Sequence, residues 1–170
     1  MTATELLKKL ETLGKKEVYF GPQGFLFTSS EEELEKAQTG FAIHPDGTNV
    51  VGENKGDWQK NWQVIALDTE LGDPYFIDLN DDNSPVYTAI QFDGVWEENP
   101  VASSLADFIS CLTLFIKANN QASPIFVPDE NTVVDKIVLA QLQSQLIEIS
   151  RCKDFWEQFF ECYVDWLNVE

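Results

Sequence analysis

The stretch that most constrains the fold of this chain is residues 62–92, WQVIALDTELGDPYFIDLNDDNSPVYTAIQF. It contains three short apolar segments separated by two polar turns. Residues 64–67 form a continuous apolar run, as in a strand that is buried on both faces. The first turn combines Gly72, which can adopt a positive φ, with Pro74, which cannot donate within a ladder. Because a parallel crossover needs a dozen or more residues, connections this short predict an antiparallel meander.

Alternation along the second and third segments predicts which side chains share a face of the sheet. Tyr75, Ile77 and Leu79 fall on one face, and Phe76 and Asp78 fall on the other. The third segment alternates in the same way, with one set formed by Val86, Thr88, Ile90 and Phe92.

Helical patterns flank this sheet. Thr2 and Glu5 are spaced as a capping box before a leucine stripe, and a second capped helix begins at Ser29–Ser30 and ends near residue 40. Residues 17–20 and 24–27 predict two further strands around a Gly-Pro turn. Ser104 and Asp107 begin another helix, whose wide apolar stripe indicates burial across the sheet. The pattern predicts an α+β fold with an antiparallel or mixed central sheet packed by helices.

The C-terminal third is predicted to be helical. Thr132 and Asp135 precede an apolar stripe formed by Val134, Val138, Leu142, Leu146, Ile149, Trp156, Phe160, Tyr163 and Leu167. One continuous helix would be ~50 Å long, whereas a globule of this size is only ~40 Å across. A break near Ser150 is therefore expected unless a homodimer buries the overhang. The sequence predicts a single domain over residues 1–170, with the sheet and core helices in about 17–117 and extra helices in about 131–168.

Charge is distributed unevenly along the chain. Between Lys60 and Lys117 there is no Lys, Arg or His, while ten acids fall there: Asp68, Glu70, Asp73, Asp78, Asp81, Asp82, Asp93, Glu97, Glu98 and Asp107. The net charge is −18, and Arg151 is the single arginine. Phosphate neutralisation needs clustered Lys and Arg, and an anionic membrane would repel the chain, so neither nucleic acid nor membrane is expected as a partner. Complementary charge favours a basic protein partner; acidity that serves only solubility is the alternative.

The loop at residues 44–60 is polar and glycine-rich, and the sequence leaves its role open. Trp58 stands out there as a large aromatic side chain in polar company. Two interpretations apply to it: it caps the edge of the core, or it anchors a partner protein.

The sequence contains no complete catalytic or metal-binding motif. Residues 47–52 have the glycine spacing of a phosphate loop, but Glu53 and Asn54 replace the Lys-Ser/Thr pair. Residues 78–84 resemble the first half of an EF-hand loop, but Asn83 replaces the required Gly. His44 is the only histidine and has no recognisable zinc or nucleophile partner. We expect no catalytic residue, no metal and no cofactor.

The three cysteines, Cys111, Cys152 and Cys162, contain no C-x-x-C pair. On one helix, Cys152 and Cys162 would lie ~15 Å apart, too far for a disulfide. Reduced, mostly buried thiols are therefore expected. The chain begins without an apolar signal-peptide core and has no apolar run of the ~20 residues that a membrane span requires. A soluble, cytoplasmic protein is expected.

The order of several short motifs carries a family resemblance. An apolar strand is followed by Gly72-Asp73-Pro74 and then Phe76-Ile77-Asp78; after these come Pro85-Val86-Tyr87, Trp96 with acids behind it, and a helix opening at residues 101–109 that includes Phe108. This ordered set resembles the SUKH superfamily, which includes the yeast cell-wall assembly regulator family and the bacterial Syd-like proteins. The resemblance covers about residues 41–116. It implies an α+β fold in which the motif residues Gly72, Asp73, Pro74, Asp78, Trp96 and Phe108 are structural.

The resemblance also implies a function. Many bacterial members are immunity proteins that neutralise toxins, often nucleases, and no catalytic residues come with the family. A nuclease toxin must be basic to bind nucleic acid, so an acidic surface can occupy its site. The first hypothesis is a non-enzymatic bacterial immunity protein that binds a basic toxin. Its expected contacts are Asp81, Asp82, Glu97 and Glu98, with Trp58 as a possible aromatic anchor.

Two other functions are kept as alternatives. The eukaryotic branch of the resemblance implies a regulatory scaffold that binds cellular signalling or envelope-assembly proteins. A carboxylate-based hydrolase could use paired acids such as Asp68 and Glu70, although residues two apart in a strand simply share a face. The hydrolase hypothesis predicts a cleft that holds at least two acids with raised pKa values.

Overall fold

The computed structural model describes residues 1–168, within which six strands and five helices occur. The strands are β1 (Glu17–Phe20), β2 (Gln23–Phe27), β3 (Trp62–Asp68), β4 (Pro74–Asp78), β5 (Val86–Phe92) and β6 (Val95–Ala102). The helices are α1 (Ala3–Glu11), α2 (Glu31–Lys36), α3 (Leu105–Ala118), α4 (Lys136–Ser150) and α5 (Lys153–Leu167). The prediction of an α+β fold with additional C-terminal helices is confirmed.

The six strands form one sheet in the order β1-β2-β3-β4-β5-β6, and every neighbouring pair is antiparallel. The predicted meander over residues 62–92 is therefore confirmed, and the sheet is antiparallel rather than mixed. Gly72 in the β3–β4 turn has φ +79°, as that turn requires. In a meander, alternate turns lie at the same end of the sheet. The turn at residues 69–73 and the β5–β6 turn at 93–94 consequently share one end, and the turn at residues 79–85 lies at the other.

The main hydrophobic core lies between one face of the sheet and the helices. Tyr75 and Ile77 point into this core, whereas Phe76 between them points to the other face, so the predicted alternation is confirmed. The helices contribute buried residues that include Leu6, Leu34, Phe108, Leu112, Phe115, Leu146, Trp156 and Phe160. Trp156 is also held by a hydrogen bond, because its Nε1 donates to the carbonyl of Val101 at 3.1 Å.

The opposite face of the sheet carries a second, smaller core that the loop before β3 covers. Trp58 lies at its centre, 1% exposed, against Val64, Phe76 and Ala89. Four aromatic rings surround it with centroids 4.9–5.2 Å away: Phe41, Trp62, Phe76 and Trp96. The loop at residues 44–60 therefore has a structural role: it positions the indole that seals this face of the sheet.

The predicted helix starts are confirmed with one difference of detail. At α1, the Thr2 side chain accepts from the amide of Glu5, and the Glu5 carboxylate accepts from the amide of Thr2, which completes the capping box. At α3, the Ser104 hydroxyl accepts from the amide of Asp107 at 3.0 Å. The Asp107 carboxylate instead accepts from the hydroxyl of Ser103, so only half of the second box forms.

The C-terminal third consists of two helices, as expected from the length of the chain. Arg151 between them adopts φ +61°, and Ser150 is fully buried, with its carbonyl accepting from the amide of Ser103 at 2.9 Å. The predicted apolar stripe is wrong at its beginning, where Val134 and Val138 are exposed. The reason is that the N-cap is Asp135, so Val134 precedes the helix.

The cysteines are free within the described part of the chain, but the prediction of mostly buried thiols is only partly correct. Cys111 is buried and burial raises its pKa to about 12, whereas Cys152 is half-buried and Cys162 is exposed. No helix in residues 1–168 is both long enough and apolar enough to cross a membrane.

Candidate functional site

An acidic cleft opens between one end of the sheet and helix α5. Its volume is about 410 Å³, within the range of ligand pockets in proteins. Five acidic residues line it on the sheet side: Asp68, Glu70, Asp73, Glu97 and Glu98. Helix α5 contributes Phe155, Phe159 and Cys162. No Lys, Arg or His from the described residues lines it.

The meander explains why these acids meet. Asp68 ends β3, and Glu70 and Asp73 belong to the turn that follows it. Glu97 pairs with Ile90 and Glu98 pairs with Ala89 near the β5–β6 turn, at the same end of the sheet. Paired residues share a face, so Glu97 lies on the face of Ile90, which lines the cleft, whereas Glu98 lies on the face of Ala89, in the second core. Acids separated by about thirty residues in sequence are thus brought to one edge by two alternate turns.

Some acids of the base-free segment have a structural role. Asp68 accepts hydrogen bonds from the amides of Glu70 and Leu71 at 3.0 and 2.5 Å. Asp78 accepts from the amide of Asn80 at 2.8 Å, and Asp81 accepts from that of Asn83 at 2.8 Å. Carboxylates that bond the backbone two residues on are typical turn-closing groups.

Other acids of the segment are not committed to the fold. Within residues 1–168 the carboxylates of Glu70, Asp73, Glu97 and Glu98 form neither a side-chain hydrogen bond nor a salt bridge. Glu70, Asp73 and Glu97 line the cleft, whereas the side chain of Glu98 lies on the face of Ala89. The salt bridges in the described chain lie elsewhere: Lys16–Glu33, His44–Asp46 and Lys153–Glu157. The negative charge of the cleft is therefore uncompensated within the described chain.

Three groups in the cleft, Asp73, Tyr75 and Cys162, have pKa values that burial and neighbouring negative charge raise. Burial raises the pKa of Asp73, and the neighbouring Asp68 charge raises it further. Burial raises the pKa of Tyr75 strongly, and the charges of Asp68 and Asp73 add to the effect. These shifts have the direction that a negative potential inside the cleft produces.

The raised pKa of Asp73 predicts a sign for the pH dependence of stability. Because folding disfavours the ionised carboxylate, the folded state binds more protons than the unfolded state just above the ordinary pKa of 3.8. The contribution of Asp73 to the free energy of unfolding should therefore decrease as pH rises from 3.8 through the raised value. Urea unfolding of wild type and Asp73→Asn at several pH values measures this difference. An increase with pH over that window would contradict it.

The acids predicted as partner contacts do not form one patch. Glu97 lies in the cleft and Glu98 lies on the opposite face of the sheet, whereas Asp81 and Asp82 lie in the turn before β5. Four residues of β5 separate the level of that turn from the level of Glu97, which is ~13 Å of strand. The structure therefore brings together Glu97 and the turn acids at 68–73, and leaves Asp81 and Asp82 at the opposite end.

The interpretation of Trp58 as an anchor for a partner protein is wrong. Trp58 is 1% exposed and enclosed by aromatic rings, so it has the core role and is not presented as an anchor for a partner. Its Nε1 is buried and has no hydrogen-bond partner in the described residues. The residues around Trp58 in sequence are polar and form a loop. This loop places its one large aromatic side chain against the sheet, because only the sheet face offers apolar contacts.

Exposed apolar side chains border the cleft. Leu71 and Ile90 line it with exposed fractions of 80% and 56%, and Phe92 and Val95 in the adjoining hairpin are 69% and 46% exposed. We call these four residues the apolar rim. Alternation along β5 predicts that Ile90 and Phe92 share a face of the sheet. It does not predict that this end of the face lacks a covering helix. Large apolar side chains grouped on a surface mark interaction sites.

The six motif residues of the SUKH resemblance have structural surroundings. Phe108 is fully buried in the main core, and Trp96 packs against Trp58. Asp78 closes the β4–β5 turn and also accepts from the side-chain amide of Asn61. Gly72 and Pro74 shape the β3–β4 turn, with Pro74 paired to Leu67 at the start of β4. Asp73 differs from the others, because it lines the cleft.

The chemistry available to the cleft is that of binding a cation. Among the described residues no three His, Cys, Asp or Glu side chains are arranged to hold a metal ion. The hydrolase hypothesis requires two acids with raised pKa values in one cleft, and Asp73 supplies one such acid. Uncommitted carboxylates next to apolar side chains match an amphipathic cationic group, in which a charge is carried on an alkyl stem.

Comparison with known proteins finds no relative: no family model matches the chain, and neither a curated protein nor a solved structure matches it. Function is therefore inferred from the cleft, its charge and its rim. The resemblance to the SUKH superfamily stays a prediction.

Proposed function

We propose that this chain is a non-enzymatic binding protein whose partner is a basic protein, and that the acidic cleft with its apolar rim is the contact surface. The observation that carries the proposal is the group of three uncommitted acids, Glu70, Asp73 and Glu97, beside exposed apolar side chains. Acids that serve only solubility need no apolar border. Charges around an apolar patch are the ordinary anatomy of a protein interface.

Electrostatics supports a basic partner in particular. The net charge of −18 favours rapid encounter with basic proteins and suppresses encounter with acidic ones. The rim side chains Leu71, Ile90 and Phe92 would then be buried in the complex, which supplies affinity that charge alone does not.

The SUKH resemblance suggests the biological form of this binding. In this proposal the chain is a cytoplasmic bacterial immunity protein that neutralises a basic, nuclease-type toxin by covering the toxin's nucleic-acid-binding surface. The expected contacts change accordingly: Glu97 remains, Asp73 and Glu70 are added, and Asp81 and Asp82 lie outside the cleft. Glu98 lies on the opposite face of the sheet.

Co-expression with the toxin encoded by a neighbouring gene tests the function. We expect cells that make both proteins to grow, and the two proteins to purify as a complex. Growth arrest together with the absence of a complex would contradict the proposal. A complex with signalling or envelope-assembly proteins instead of a toxin would favour the alternative of a regulatory scaffold.

A pair of charge reversals tests the surface. The double variant Glu70→Lys/Glu97→Lys should weaken binding of that toxin by at least about tenfold, because close charge pairs across an interface contribute about 1.5 kcal/mol or more each. The matched control, Asp81→Lys/Asp82→Lys, makes the same change of charge at the other end of the sheet and should weaken binding much less. Calorimetric titration measures both. Equal losses would show that only net charge matters.

A further inference from the structure

We infer that the acidic cleft receives a single Lys or Arg side chain of the basic partner, with its cationic group between Asp68, Asp73 and the hydroxyl of Tyr75. This inference rests on the proposed function and specifies what the cleft recognises. It adds Tyr75, a residue that no sequence pattern singles out for binding.

Tyr75 is the observation that separates this cleft from an ordinary acidic surface. Its side chain is only 6% exposed, and its ring packs against Phe25, Phe108 and Phe155 at centroid distances of 4.9–6.2 Å. It nevertheless lines the cleft, and its hydroxyl has no hydrogen-bond partner in residues 1–168. Trp58 Nε1 is the one fully buried side-chain N or O atom without a partner among the described residues, so the Tyr75 oxygen is accessible, and Tyr75 lines the cleft. An N–H donor entering the cleft can therefore reach this hydroxyl.

Two carboxylates are placed to neutralise such a donor. The Asp73 carboxylate has no hydrogen bond within the described chain, and Asp68 uses its Oδ2 for the turn amides, which leaves Oδ1 for a ligand. All three residues line the cleft, and the charges of Asp68 and Asp73 raise the pKa of the Tyr75 hydroxyl. A cation there would gain charge-assisted hydrogen bonds, which are stronger than neutral ones.

The rest of the cleft fits an organic cation better than an ion. Phe155, Phe159 and Ile90 provide apolar contact for an alkyl stem. No three ligating side chains in the described chain converge as a divalent metal would require. A Lys or Arg side chain combines the two properties, because its long stem is apolar and its end is charged.

The test uses a minimal probe of this side chain. Backbone amide shifts of the full chain are followed by NMR during titration with N-acetyl-lysine methylamide, which carries the ammonium group. The same titration with N-acetyl-norleucine methylamide supplies the stem without the charge. The variants are Tyr75→Phe, which keeps the packed ring, and Asp73→Asn, with Asp82→Asn as the matched control at the opposite end of the sheet. Urea unfolding verifies that each variant is folded.

We expect the lysine probe to give saturable shifts at residues 68–75 and 155–162, and the norleucine probe to give none. Tyr75→Phe and Asp73→Asn should each weaken this binding at least about fivefold, whereas Asp82→Asn should leave it unchanged. Any of three results would overturn the inference: equal shifts with both probes, shifts spread over all acidic turns, or unchanged binding of the lysine probe by Tyr75→Phe and Asp73→Asn.

The outcome separates this inference from the proposed function. If the toxin binds wild type and both cleft variants equally, the function stands and the inference falls. If the lysine probe binds as expected but no basic protein forms a complex, the cationic site stands and the proposed function falls.

Discussion

Replacing Trp58 by Ala should lower the free energy of unfolding by about 3–5 kcal/mol, as large aromatic deletions in cores do. The indole is 1% exposed and contacts four other aromatic rings, so its removal empties the centre of the second core. The loop at residues 44–60 would also lose the side chain that holds it to the sheet. Urea unfolding at neutral pH measures the effect.

A matched variant separates the ring from its polar atom. Trp58→Phe keeps an aromatic ring and removes the buried Nε1, which has no partner in the described residues. An unsatisfied buried donor costs about 1–3 kcal/mol, so its removal offsets part of the lost volume, and Trp58→Phe should destabilise much less than Trp58→Ala. A loss of under about 1 kcal/mol for Trp58→Ala would mean that the indole is not a core residue.

Replacing Gly21 by Ala is expected to have the second large effect on stability, about 2–5 kcal/mol in total. Gly21 has φ +65°, a conformation that costs an L-residue about 1–2 kcal/mol. A Cβ there would also lie 2.6 Å from the ring of Tyr163, which is 1% exposed and cannot move away. Such overpacking costs about 1–3 kcal/mol.

The backbone at Gly21 has little freedom to relieve this clash. Its amide donates to Oε1 of Gln121 at 3.0 Å, and its carbonyl accepts from Nε2 of Gln121 at 2.6 Å. Gly14 is the matched control, because it has φ +67° with no atom within 4 Å of a built Cβ. Gly14→Ala should therefore show the backbone effect alone, about 1–2 kcal/mol. Equal losses at the two glycines would contradict the packing of Tyr163 on β1–β2.

Much of the fold could be predicted from local patterns. Thr2 and Glu5 identify a helix start because capping is decided within four residues, and Gly72 identifies a turn because few residues adopt its φ. The break after Ser150 followed from the length of the helix alone. Local patterns do not predict the burial of Trp58, because its contacts are made with residues far along the chain.

Local patterns do not predict the cleft, for a related reason. All of its acids belong to the base-free segment, but grouping them requires knowing which turns share an end of the sheet. The meander rule contains that signal, since it places residues 69–73 beside 93–98 and opposite to 79–85. The contribution of α5 had no such signal, because the docking of Phe155 and Phe159 depends on tertiary packing.

In the proposed function, the acidic cleft and its apolar rim are the surface that binds a basic partner. Hydrogen–deuterium exchange of the chain, free and in complex with the toxin encoded by a neighbouring gene, tests it most directly. We predict slower exchange in the complex at the turn amides of residues 69–73 and 93–94 and along the cleft side of α5. Protection confined to the turn at 79–85 or to the loop at 44–60 would contradict the claim.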